Sequence, residues 1–149
     1  MATTIRAAAP ADLGRVVQIE QAAFGATAFP YSVFRRHLDL SGKLFAVAED
    51  TPGVVGFLLA ARSVSPEVVW FLDLAVERSF RNRRIGRGLL SHAVTQCRSL
   101  GVSRIRGTVK PDNIPSQRVL HALGFAEIAY DPAYFGTGYP RRIVELDLR

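Results

Sequence analysis

Apolar positions along the chain change their period several times, and each change marks an element. Leu13, Val16, Val17, Ile19, Ala23 and Phe24 recur at helical spacing, and Pro10-Ala11-Asp12 starts that helix with an acid in its first turn. Ile5-Arg6-Ala7 before it reads as a short strand, while Gly25 and Pro30 after it break the helix ahead of a second one over Ser32 to Leu40. Lys43 to Glu49 and Val54 to Ala61 are β-rich and parted by the turn Asp50-Thr51-Pro52-Gly53. Val68 to Val76 is nearly continuous apolar sequence, the pattern of a strand buried on both faces, with Trp70 in the core and Asp73 as its one interruption.

The second half repeats the alternation. A helix from Ile85 to about Leu100 carries Leu89, Leu90, Ala93, Val94, Cys97 and Leu100 on one stripe, and Gly101 caps it. Arg104 to Val109 is a strand, and a helix from Pro115 to Leu123 buries Val119, Leu120 and Leu123 before Gly124 stops it. Two further strands, Phe125 to Tyr130 and Arg142 to Leu148, flank a loop holding Pro132, Gly136, Gly138 and Pro140. No repeat, low-complexity run or linker divides the chain, so residues 1–149 read as one domain.

Composition narrows the class without naming a function. With 48% hydrophobic and 21% charged residues the chain is ordinarily globular. No run approaches the roughly 18 apolar residues of a membrane span, and the start, Met-Ala-Thr-Thr-Ile-Arg, lacks a signal peptide's apolar stretch; a cytoplasmic protein without a membrane partner is expected. The single cysteine, Cys97, excludes an internal disulfide, and with His37, His92 and His121 it shows no metal-ligand spacing, so no metal is expected. Charge is uneven: up to Glu77 there are six Lys/Arg against eight Asp/Glu, and beyond it 13 against five. Nucleic acid is the rival partner for such a basic half. It is not expected here, because residues 78–88 hold Phe80 as their one aromatic and no helix there reads as a groove reader.

The basic half contains the most informative segment, Leu74-Ala75-Val76-Glu77-Arg78-Ser79-Phe80-Arg81-Asn82-Arg83-Arg84-Ile85-Gly86-Arg87-Gly88-Leu89-Leu90. An apolar strand runs into an arginine- and glycine-rich turn that opens a helix. Backbone N–H groups at a helix N-terminus lack partners within the helix and sit at the positive end of its dipole, which suits an anion. Gly86 and Gly88 let backbone approach a ligand closely, and Arg81, Arg83, Arg84 and Arg87 offer guanidinium forks to phosphate oxygens. The expected ligand carries several phosphates.

This segment resembles the acyl-coenzyme A signature of the GNAT N-acetyltransferases, a valine followed after a few residues by Arg/Gln-x-x-Gly-x-Gly/Ala at the head of a helix. The register that keeps Ile85 and the Leu89-Leu90 pair in step is Val76, then Arg81-Asn82-Arg83-Arg84-Ile85-Gly86, with Arg84 where the family has its first glycine. A second register, Arg83 to Gly88, fits the bare pattern but puts those residues out of step. Asn113-Ile114-Pro115-Ser116 followed by Leu123-Gly124-Phe125 resembles a second family motif, Asn-x-x-Ala/Ser…Leu-Gly-Phe, in which the asparagine and the helix start approach the pantetheine arm. The element order matches the family over nearly the whole chain. The resemblance therefore implies an α/β (α+β) fold, a mixed sheet of about six to seven strands with about four helices, and acetyl-CoA as cosubstrate. It also implies coenzyme contacts from Leu74, Ala75, Val76, Arg81, Asn82, Arg83, Arg84, Ile85, Gly86, Arg87, Gly88, Asn113 and Ser116.

Ile19-Glu20-Gln21-Ala22-Ala23-Phe24, Pro30-Tyr31-Ser32 and Tyr134-Phe135 resemble the branch that acetylates peptide N-terminal amines, the ribosomal-protein alanine acetyltransferases among them. That branch carries a glutamate five residues before the motif asparagine and a tyrosine seven after it; Thr108 and Leu120 occupy those positions. Asp73 is then the candidate base, a carboxylate whose pKa burial would raise. Glu20, read as a solvated helix-face residue, is the weaker alternative, and a water chain near Thr108 is another. Tyr134 is the candidate acid, with Tyr130 and Tyr139 as competitors and a wall contact as its other reading. Cys97 reads as a buried inert thiol, with His92 and His121 facing solvent.

Two functions follow. One is an acetyl-CoA-dependent N-acetyltransferase acting directly on a primary amine, a peptide N-terminus or a small molecule, in a ternary complex. The other is a catalytically weak or inactive coenzyme A-binding regulatory or interaction domain. The sequence leaves the oligomeric state open between monomer and homodimer.

Overall fold

The computed structural model describes residues 3–149. Strand β1 (Thr4–Ala7) is followed by helices α1 (Leu13–Phe24) and α2 (Tyr31–Leu40), then by strands β2 (Phe45–Asp50), β3 (Gly53–Arg62) and β4 (Val68–Val76). Helix α3 (Ile85–Ser99), strand β5 (Arg104–Val109), helix α4 (Ile114–Ala122) and strands β6 (Ala126–Asp131) and β7 (Arg141–Asp147) complete the chain. The expected α/β class and element order are observed, with boundaries moved by a residue or two.

All seven strands join one sheet in the order β1-β2-β3-β4-β5-β7-β6. Neighbours are antiparallel except β4 and β5, which run parallel because α3 carries the chain across. Alternation along β3 divides the core into two layers. Phe57 and Leu59 join Leu13, Val16, Ile19, Phe34 and Phe45 beneath α1 and α2, while Leu58 and Ala60 join Leu89, Ala93, Cys97 and Ile105 beneath α3. Phe34 stands edge-on to Phe57 at a ring separation of 5.3 Å, so α2 is keyed to the sheet by aromatic contact. Arg6 grips Asp12 through two bonds of 2.8 and 2.9 Å, fixing the start of α1 against β1. Gly101, at φ 72°, ends α3 by turning left-handed so that Val102 N–H reaches the Cys97 carbonyl at 3.0 Å.

Strand β4 departs from the sequence pattern. Its pairing to β5 covers Val68↔Arg104, Val69↔Ile105 and Trp70↔Arg106 and then stops, so the two parallel strands splay toward the head of α3. The strand is therefore not buried on both faces throughout: Val68, Val69 and Ala75 are buried, but Leu72 is 41% exposed. Trp70 is half-buried beside Arg106 instead of lying in the core. Leu100 is 39% exposed because it caps α3 and has left the helix stripe.

A register shift within β4 has a larger effect. Leu59 pairs with Asp73 but the next residue, Ala60, pairs with Phe71, leaving Leu72 as an extra residue. Strand residues two apart ordinarily share a face. Here Phe71 packs on Phe125 in the α3 layer, while Asp73 turns to the α1 layer and meets Glu20.

Candidate active site

The head of α3 is built as an anion cradle. Arg84 precedes the helix at φ 61° and ψ 21°, and Asn82 also stands left-handed at φ 65°. Gly88 N–H donates to Arg84 O at 2.9 Å, the first bond of the helix, so the amides of Ile85, Gly86 and Arg87 point out of its end. No side chain caps them. Arg81 Nε donates to the Val76 carbonyl at 3.1 Å, and Arg83 lies 4.9 Å above the Phe80 ring. The side chains of Arg84 and Arg87 are exposed without a hydrogen-bond or ion-pair partner among the described residues. Uncapped amides and unneutralised guanidinium groups on one turn suit a polyphosphate.

The two glycines serve different ends. A Cβ on Gly86 would make only ordinary contact with the Val76 side chain at 3.9 Å, whereas one on Gly88 would lie 3.2 Å from the Ile5 side chain. Gly88 thus lets α3 settle on β1, a packing role beside the close approach to ligand read from sequence.

Where β5 leaves β4, a backbone edge opens. Glu77 N–H donates to Val55 O on β3 at 2.8 Å, so alternation turns the amides of Val76 and Leu74 toward the splay. A cleft of about 690 Å³ adjoins this edge, lined by Arg15, Gln18, Ile19, Ala22 and Ala23 of α1 and by Val76, Glu77, Arg78, Ser79 and Arg81. Arg15 reaches Glu77 at 2.6 Å and the Val54 carbonyl at 3.0 Å, tying α1 to the end of β4. Arg15 and Gln18 are not among the residues that the sequence singles out, while Ile19, Ala22 and Ala23 figure there only in the helix stripe and in the resemblance to the peptide-acetylating branch. The signal was present in the spacing of Arg15, Gln18, Ile19 and Ala22 along one helix face.

Glu20 is 2% exposed, which corrects its reading as a solvated residue. Its Oε2 accepts Phe29 N–H at 2.8 Å, and its carboxyl meets that of Asp73. Burial first, and Glu20 second, push Asp73 up to about 9. Asp73 therefore holds its proton at neutral pH, the opposite of the ionised state that a ground-state base requires.

Asn113 is exposed, and its Oδ1 caps α4 by accepting Ser116 N–H at 3.2 Å, so this oxygen is occupied by the fold. Thr108 faces Ile143 of β7, and no carboxylate takes the place of the branch's glutamate on that rung. Tyr134, 37% exposed, packs edge-on against Phe135 at 4.8 Å in the loop between β6 and β7. Cys97 is fully buried and pushed by that burial up to about 11, so it stays a thiol. His121 is exposed, while His92 is half-buried and lowered by that burial, not turned wholly to solvent. Among the described residues no helix is long and apolar enough to cross a membrane, and no group of three or more His, Cys, Asp or Glu could hold a metal ion.

Comparison with known proteins agrees with this geometry. The family model described as "Acetyltransferase (GNAT) family" matches residues 13–125. Ard1 from Thermoplasma volcanium superimposes with a TM-score of 0.92 at 23% identity, covering 100% of this chain and 99% of that one. The ribosomal-protein-S18-alanine N-acetyltransferase from Escherichia coli gives 0.83 at 20% identity over 99% and 94%. A chain of the NatC complex bound to Gag peptide and CoA gives 0.89 at 16% identity over 100% of both. No curated protein matches the sequence.

Proposed function

The chain belongs to the GNAT acetyltransferase family, and from that premise we propose that it is an acetyl-CoA-dependent N-acetyltransferase that transfers the acetyl group directly to a primary amine, by preference a peptide α-amine, in a ternary complex. The observation that carries the reading is the uncapped head of α3 beside the open edge of β4, which offers phosphate ligands and a carbonyl-binding amide on adjacent segments.

The proposed chemistry follows from that adjacency. The pyrophosphate and 3′-phosphate lie at the amides of Ile85, Gly86 and Arg87 with Arg81, Arg83 and Arg84 around them, and the pantetheine arm runs toward Asn113 and Ser116. An amide of the Leu74 to Val76 edge polarises the thioester carbonyl, as a fixed dipole that needs no reorganisation. The neutral amine nitrogen attacks the carbonyl carbon, the carbon–sulfur bond breaks, and the thiolate takes a proton from Tyr134. The proton lost by the amine leaves through water in the cleft, since Asp73 already holds its own. No acyl-enzyme forms, because the one cysteine is buried and protonated.

The acceptor class comes from the walls. Residues 25–31 and 130–140 are aromatic and carry Asp131 as their sole acid, which suits an apolar or peptide-like body over a polycation. Support for the peptide preference comes from the fold shared with a chain of the NatC complex, which is bound to Gag peptide and CoA, and with the alanine N-acetyltransferase. A cytoplasmic setting, where ribosomal products present free N-termini, accords with this reading.

Thr108 and Leu120 favour a second reading, a coenzyme A-binding domain without turnover. Thiol release from acetyl-CoA in the presence of a pool of amines and peptides decides between them. Release that depends on a peptide supports transfer; tight coenzyme binding with no release over the whole pool supports the second reading.

A further inference from the structure

Buried Glu20 and half-buried Asp73 meet between α1 and β4, and each has a buried oxygen without a partner: Glu20 Oε1 and Asp73 Oδ2. The two carboxyls lie against one another, and a proton on Asp73 would let it donate to Glu20 and satisfy both orphaned oxygens. Glu20 then has its second oxygen free to accept Phe29 N–H at 2.8 Å. Phe29 belongs to the segment that joins α1 to α2. The segment's other polar bonds are local, Ala28 N–H to Gly25 O at 3.1 Å and Thr27 Oγ1 to Phe24 O at 3.0 Å. Glu20 thus supplies the segment's one non-local hydrogen bond among the described residues, beside the Phe29 ring that packs against Phe34 at 6.1 Å.

The position of the pair is a product of the β4 bulge. Were Leu72 an ordinary ladder residue instead of an extra one, Asp73 would share the face of Phe71 and would sit in the α3 layer, away from Glu20. The irregularity brings a proton donor to the one carboxylate that holds the segment.

We propose that Glu20 and Asp73 are positioning residues for the acceptor: set against one another, they hold Phe29 N–H and keep segment 25–30 in place as the wall on which the body of the amine substrate rests. The proposal rests on the acetyltransferase reading for the role of that wall. It assigns neither acid to proton transfer with the substrate.

The test pairs disruptive with conservative variants. Asp73→Ala and Glu20→Ala should raise the KM for an alanine-initiated peptide by about tenfold or more, the size of one charge-assisted hydrogen bond, with unchanged affinity for acetyl-CoA. Amide hydrogen exchange over residues 25–30 should quicken in both. Asp73→Asn, which keeps a donor toward Glu20, and Glu20→Gln, which keeps an acceptor for Phe29 N–H and a donor toward Asp73, should restore both readouts. A loss of kcat in Asp73→Asn at unchanged KM would overturn the proposal and make Asp73 the base. Unchanged exchange in folded alanine variants, or faster exchange with an unchanged KM, would overturn it as well. Wild-type protein that binds coenzyme but acetylates nothing fails the acetyltransferase reading separately, and the acceptor role with it.

Discussion

Arg84 stands left-handed at φ 61° while its carbonyl receives the Gly88 N–H at 2.9 Å, so the first bond of α3 is made by a residue in a conformation that suits glycine. For a residue with a Cβ that conformation costs about 1–2 kcal/mol, partly offset by the lower entropy of an unfolded chain without glycine. Arg84→Gly should accordingly raise the Tm by roughly 2 °C, for a net gain of about 0.5–1 kcal/mol. It should also weaken coenzyme A binding through loss of a guanidinium group. A lower Tm would mean that the arginine's contacts outweigh its backbone strain; thermal unfolding and titration calorimetry read the two effects.

Gly86→Glu should abolish tight coenzyme binding. A Cβ is tolerated at Gly86, but a carboxylate there would face phosphate in the cradle, at a cost on the order of 2–4 kcal/mol. Gly86→Ala serves as the folding control. Calorimetry showing wild-type affinity in a folded Gly86→Glu protein would remove the phosphate-site assignment.

Cys97→Ala should keep nearly all turnover. The thiol is sealed in the α3 layer, and the substitution should cost only about 1 kcal/mol of stability from the smaller side chain. An acetylated Cys97 peptide found by mass spectrometry during turnover would contradict direct transfer.

Asp73 makes stability depend on pH with a definite sign. Its pKa is raised by folding from 3.8 to about 9, so between those values the native state binds the extra proton, and stability falls as pH rises through the window. The slope from this group is at most about 1.4 kcal/mol per pH unit. Asp73→Asn should flatten it. Parallel wild-type and Asp73→Asn stability curves between pH 5 and 9 would show that folding does not shift this group.

Acceptor preference is the broadest prediction. Peptide α-amines or small uncharged-bodied amines should exceed spermidine and aminoglycosides by at least about tenfold in kcat/KM, about 1.4 kcal/mol of discrimination. Comparable turnover of spermidine and of an alanine-initiated peptide would reject the wall argument while leaving acetyl transfer in place.

Most of the element order and the helix start after the arginine-rich turn were legible in the sequence because both are local. Helical spacing, the turn at Pro52-Gly53, the left-handed Gly101 and the run of arginines beside a helix start act over a few residues, where backbone sterics and side-chain type decide the outcome. Glu20 was misread for the opposite reason. Its place at the edge of an apolar stripe says nothing about whether an acid lies across from it.

What only the tertiary structure decided are the features that depend on register between distant strands. The sequence by itself determined a mixed α/β chain with an arginine- and glycine-rich helix start. The splay of β4 from β5, the Leu72 bulge and the meeting of Glu20 with Asp73 came from pairing across β3, β4 and β5. One inserted residue in a ladder turns every later side chain to the other face, and that choice is made by the sum of contacts across the sheet, which no single segment records.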